Sequence, residues 1–194
     1  CPAMFDILGE LTDNSLLQKE QTTAGDTRYS LLESIRAYAA EKLTAEKDIE
    51  DRLSGPAALE SAQHRHAAHF AKLGEPSFLR SLDSFESASR WSELFSELDN
   101  LVVAIRYGTP QTAPLCCMAA LKVLGMKGPV SLGVDIATEV LALPDLPRRQ
   151  QMQIEIERSK CLRISGRMRE ARAVVREAVS TSGSLSPDDP TSEG

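Results

Sequence analysis

Gly128-Pro-Val-Ser-Leu-Gly-Val-Asp-Ile-Ala-Thr-Glu-Val-Leu141 and Gly166-Arg-Met-Arg-Glu-Ala-Arg-Ala-Val-Val-Arg-Glu-Ala-Val179 are the stretches on which the fold turns. An offset of 38 residues aligns Gly128 with Gly166, Val130 with Met168 and Gly133 with Ala171. The same offset aligns Ile136 with Val174, Ala137 with Val175, Val140 with Ala178 and Leu141 with Val179. In each copy a Gly occupies the turn, and five residues on a small side chain lets the second helix approach the first closely. An apolar face at helical spacing follows. A repeat of this length is the mark of stacked helix–turn–helix units, each too small to bury its apolar face alone.

Working outward, the pattern predicts short helices over 111–125, 130–142, 147–165 and 167–181. Their separators are Gly125 to Pro129, Pro144 to Pro147, and Gly166. Breaks this short between amphipathic helices imply antiparallel hairpins. Upstream, Trp91, Leu94, Phe95, Leu98, Leu101, Val102 and Ile105 predict one long helix from Ser84 to Tyr107. Asp83 and Glu86 sit at capping-box spacing at its start, and Gly108 and Pro110 end it. A preceding helix carries Leu59, His66, Phe70 and Leu73 on one stripe and stops at Gly74-Glu-Pro76.

Toward the N-terminus, Met4, Phe5, Leu8 and Leu11 predict a short amphipathic helix, with Asp13-Asn14 as turn-formers. Two extended runs, 15–20 and 28–32, flank the polar segment 22–27 and read as a β-hairpin. From there the period lengthens, and Leu32, Ile35, Ala39 and Leu43 line a helix ending near Glu46. A polar connector spans 47–57. The tail from 182 is rich in Ser, Gly, Pro and Asp and is expected to be disordered.

The 194 residues are 42% hydrophobic and only 5% aromatic, a balance that suits Ala/Leu-rich helices better than aromatic-rich strands. The net charge of −6 carries no dense Lys/Arg run of the kind that nucleic-acid binding draws on. No segment reads as a signal peptide or a membrane span. Cys1, Cys116, Cys117 and Cys161 match no zinc or redox spacing and are expected as small core residues in a reducing compartment, the cytoplasm. The chain opens with Cys-Pro-Ala directly into a helical pattern, which reads as a piece of something longer.

Gly166-Arg-Met-Arg-Glu-Ala171, followed by Val175 and Ala178, resembles the turn and second helix of a tetratricopeptide repeat. Ser159, Leu162 and Glu155 stand where such repeats often carry Gly, Tyr and Trp, so the copy is divergent. Arg28-Tyr-Ser-Leu-Leu-Glu-Ser-Ile-Arg-Ala-Tyr-Ala-Ala-Glu-Lys-Leu43 resembles the end of the winged-helix domain in bacterial signal-transduction ATPases with numerous domains, of the LuxR-like and antibiotic regulatory protein types. Leu8 to Leu17, His64-Arg-His-Ala-Ala-His-Phe70 and Glu97-Leu-Asp-Asn-Leu101 resemble stretches of the same proteins in the same order.

The resemblance implies a mainly all-α chain, a tetratricopeptide-like α-α superhelix preceded by a partial winged helix with a small β-hairpin. Residues 1–46 would end the winged helix, 47–110 form a helical linker, 111–181 form divergent repeats, and 182–194 form the tail. It further implies a non-catalytic region that relays the binding of a partner or ligand to an upstream NTPase domain for transcriptional control. No Gly-x-x-x-x-Gly-Lys-[Ser/Thr] occurs in the chain, so ATP is expected in an upstream domain and no cofactor here.

Among residues that could carry chemistry, His64, His66 and His69 share a helix. His66 and His69 have metal-compatible spacing, yet no Cys lies nearby, so no metal site is expected. Cys116-Cys117, Trp91 and Tyr38 are expected in the core, and Glu33, Arg36 and Glu41 as surface helix charges. No nucleophile elbow or dinucleotide fingerprint occurs, and no catalytic residue is expected. The expected binding surface is the face contributed by 111–125 and 147–165. Arg148, Arg149, Arg158, Lys160 and Arg163 make the second segment locally basic, suited to a protein or peptide partner. The alternatives are a DNA-binding winged helix or the sensor region of a kinase or nucleotide cyclase. The charge-balanced wing with Lys19, Glu20, Asp26 and Arg28 argues against direct DNA contact, and no membrane partner is expected.

Overall fold

In the computed structural model, residues 2–21, 27–45, 54–84 and 87–182 are described. The hairpin tip, most of the 47–57 connector, Glu86 of the expected capping box and the tail beyond 182 lie outside the described residues. Among the described residues the chain is mainly helical, with one two-stranded antiparallel sheet. Its contacts divide into two compact units, Cys1–Ala62 and Gln63–Gly194.

In the first unit, helix α1 (Pro2–Asp13) ends in a left-handed residue, Ser15, with φ 57°. The Leu16 amide bonds Leu11 O at 2.8 Å and the Ser15 amide bonds Thr12 O at 2.9 Å, the paired bonds that close a helix terminus. Strands β1 (Leu17–Gln21) and β2 (Thr27–Leu31) pair with Leu17 opposite Leu31 and Lys19 opposite Tyr29, so the hairpin read from the sequence is present. Helix α2 (Glu33–Thr44) follows and buries none of its side chains. Tyr38, expected in the core, is 59% exposed, with the Lys42 ammonium 5.1 Å above its ring. The spacing that places Tyr38 on a helix carries no information about whether another element covers that face.

The second unit is built around helix α7 (Ala113–Lys127), which is apolar nearly all round and therefore buried nearly all round. It packs on α6 (Leu98–Tyr107), on α8 (Val130–Leu141) and on α9 (Arg148–Ile164). It also meets a 3-10 turn at Lys72–Gly74, which follows helix α3 (Pro56–Ala71). Pro76, expected only as a stop, also starts the short helix α4 (Pro76–Ser81), because Pro suits a first helical turn.

The long helix expected from Ser84 to Tyr107 is two helices, α5 (Ala88–Ser96) and α6. Glu97 leaves helical geometry at φ −101° and ψ 6°, and its amide bonds Leu94 O three residues back. The Ser96 hydroxyl donates to Glu93 O at 2.7 Å, a local bond that competes with the helix ladder. The apolar stripe stays in phase across the break, so periodicity could not reveal it.

Helices α7 and α8 form one hairpin, and α9 with α10 (Met168–Ser182) forms the next. The aligned glycines Gly128 and Gly166 both adopt left-handed φ, 72° and 80°, which a side chain would strain. At Gly166 the Arg167 amide bonds Leu162 O and the Gly166 amide bonds Arg163 O, completing the α9 terminus. A Cβ on Gly133 would lie 3.4 Å from Leu121 and Leu124 of α7 but 2.9 Å from Cys161 Sγ of α9, so the tightest approach is by the next hairpin and not by the first helix of its own. Its counterpart Ala171 is buried. Helix α9 lies against both α7 and α8.

Candidate functional site

Lys122 is the single charged residue between Ala113 and Met126, and Glu157 sits on α9 with its side chain only 11% exposed. The two meet across the α7–α9 contact. Glu157 Oε1 accepts a hydrogen bond from Lys122 Nζ at 2.9 Å and another from Lys160 Nζ at 2.8 Å. Burial works to raise the Glu157 pKa, but the two lysine hydrogen bonds outweigh it and hold the carboxyl below the usual range. A buried carboxylate is tolerated here because it is paired twice, once within its own helix and once with α7.

Two adjoining cavities flank this cluster. The larger, about 730 Å³, is lined by Pro114, Leu115 and Met118 of α7 and by Arg149, Gln153 and Ile156 of α9. The 3-10 turn and α4 close it through Gly74, Leu79, Arg80 and Asp83. The smaller, about 270 Å³, is lined by Trp91, Met126, Lys160, Arg163 and Ile164. Leu79, Asp83, Lys122 and Glu157 line both. Trp91 is held by its indole N–H donating to Leu82 O at 3.2 Å and by stacking on Phe95.

The five basic residues singled out on α9 do not converge. Arg149 lines the larger cavity, and Lys160 and Arg163 line the smaller. Arg148 is half-buried and donates to Gln151 Oε1 at 2.9 Å, and half-buried Arg158 lines neither cavity. A helix has several faces, and a run of basic residues spreads over them. Lys122 and Arg80, on other elements, join the site instead. The one signal for Lys122 is its isolation in an otherwise apolar helix.

Elsewhere, the His66 ring packs 4.6 Å from Phe70, and His69 meets the same ring edge-on. Among the described residues no three His, Cys, Asp or Glu converge as a metal site. Cys116, Cys117 and Cys161 are buried free thiols, and burial pushes Cys116 up to about 12, which keeps it protonated at neutral pH. No described helix is long and apolar enough to cross a membrane. No protein-family model, curated protein or solved structure matches this chain.

Proposed function

We propose that this chain is the non-catalytic regulatory and protein-interaction region of a multidomain bacterial signalling ATPase that controls transcription from the cytoplasm. Residues 111–181 act as tetratricopeptide-like hairpins, and residues 1–46 as the end of a winged helix. The observation that carries this reading is the packing of α9 on both helices of the preceding hairpin, with a groove along the α7–α9 side. Stacked hairpins use such first-helix faces to hold peptides or helices. The output is a population shift. The repeats hold the upstream ATPase in a resting arrangement, and a partner that binds only the released form moves the equilibrium by its differential affinity.

The test is to obtain the coding sequence preceding Cys1 and to assay the intact parent with and without residues 111–181. A phosphate-binding loop in that sequence, together with ATP turnover that rises severalfold on deletion, supports the relay. A parent lacking any NTPase motif, or one whose turnover is indifferent to the deletion, overturns it.

A further inference from the structure

We infer that the groove between α7 and α9 recognises an acidic peptide segment carrying apolar anchors. This deepens the interaction reading above and rests on it. Along α9, Arg149, Gln153, Ile156, Lys160 and Arg163 recur at three- and four-residue steps, so they share one face. From Arg149 to Arg163 that face extends roughly 21 Å, at 1.5 Å per residue. About six residues of extended peptide span it, at about 3.3 Å each.

The floor is apolar. Leu115 and Met118 face Ile156, which stays 46% exposed, and Ile164 lies 54% exposed at the far end. The walls are cationic. Arg80, Lys122, Arg149, Lys160 and Arg163 line the two cavities, against only Asp83 and Glu157. Glu157 is already matched by Lys122 and Lys160, so an incoming carboxylate meets an excess of positive charge. This excess belongs to a chain whose net charge is −6, so it is local to the groove. Carboxylates aligned with the ends of α9 and aliphatic side chains on the floor satisfy both features together. A nucleic acid would satisfy the charge and leave the apolar floor unfilled.

The experiment titrates the full 194-residue chain with fluorescein-labelled peptides about eight residues long, alternating Asp or Glu with Leu, Ile or Phe. Matched sets carry Lys for each acid or Ser for each aliphatic residue, and a short DNA duplex serves as competitor. The acidic-apolar set is expected to bind, more weakly as salt rises. Arg149→Glu and Arg163→Glu should each cost roughly tenfold in affinity, the scale of a lost charged hydrogen bond. Glu at position 149 suits a helix N-terminus, so loss there is not loss of folding. Ile156→Ser should weaken binding with the charges intact. Equal or tighter binding of the Lys set or the duplex, indifference to both arginine changes, or no binding by any peptide overturns the proposal. Ser peptides that bind as well as the acidic-apolar set overturn the apolar anchors, and Lys peptides whose binding Ile156→Ser abolishes overturn the acidic chemistry alone. The interaction reading then stands on the ATP-turnover assay alone.

Discussion

Within Cys1–Ala62, helix α2 buries none of its side chains, and Met4, Phe5 and Ile7 of α1 stand largely exposed. Within Gln63–Gly194, helix α7 is buried from Ala113 to Leu121 apart from half-buried Leu115. Part of the contrast is composition, since α7 carries one charge between Ala113 and Met126 while α2 carries Glu33, Arg36, Glu41 and Lys42. The rest is covering. Helix α7 meets neighbours on several sides, each of which removes a different strip of its surface from water. Helix α2 presents Ile35 and Leu43 half-buried and leaves the rest to solvent. The lesson is that an apolar stripe stabilises only when another element lies on it, at roughly 25 cal/mol for each Å² covered.

The largest expected effects test that contrast at glycines. A Cβ on Gly74 would sit 1.8 Å from Leu115 O, which is backbone of the central helix and cannot swing aside. Gly74→Val should therefore cost more than about 4 kcal/mol, read from the Trp91 fluorescence transition in denaturant. Gly9, in the middle of α1, has nothing within 4 Å of the same added atom. Gly9→Ala should instead stabilise α1 by about 0.5–1 kcal/mol, read as slower hydrogen exchange across that helix. A destabilised Gly9→Ala would break the comparison, because it requires a close neighbour for α1.

Next come the side chains. Leu121 is 1% exposed, and Leu121→Ala should cost about 2–5 kcal/mol, the loss expected where a packed site cannot collapse. Phe5 is 74% exposed, and Phe5→Ala should stay within about 0.5 kcal/mol. Hydrogen exchange in each unit measures both. A cost at Phe5 approaching that at Leu121 would mean that its ring is covered after all.

A change of charge sharpens the comparison at the α7–α9 contact. Glu157→Gln removes the charge that Lys122 and Lys160 share and should cost about 1–2 kcal/mol at neutral pH. The folded carboxyl titrates below its unfolded counterpart, so the contribution is full above about pH 4.3, the unfolded value. It is lost as the pH falls toward the depressed folded value. Denaturation curves of the two proteins should converge on acidification through that window. Curves that stay parallel would show that the ion pair contributes nothing there.

The hairpin, most helices and both repeat turns were legible because each depends on residues close in the chain. Gly128 and Gly166 announced their turns, and Gly133 announced a close approach, since these are consequences of a missing side chain. The break at Glu97 was not legible, because Leu94 and Leu98 keep the stripe in phase on either side of it. Helix α4 was hidden behind a proline that both ends one helix and begins another. Of the site, the sequence marked Arg149, Lys160 and Arg163 but grouped them with Arg148 and Arg158. It did not mark Lys122 or Arg80 at all.

By itself, then, the sequence determined a mainly helical chain with one small hairpin and the positions of the glycine turns at Gly128 and Gly166. Those properties follow from periodicity and backbone freedom, which act over a few residues. Only the tertiary structure decided which faces are covered, that α9 rests on both α7 and α8, and that Lys122 reaches Glu157 across 35 positions of chain. Periodicity states that a face is apolar or charged. What lies against that face is set by packing among distant segments, and no local pattern encodes it.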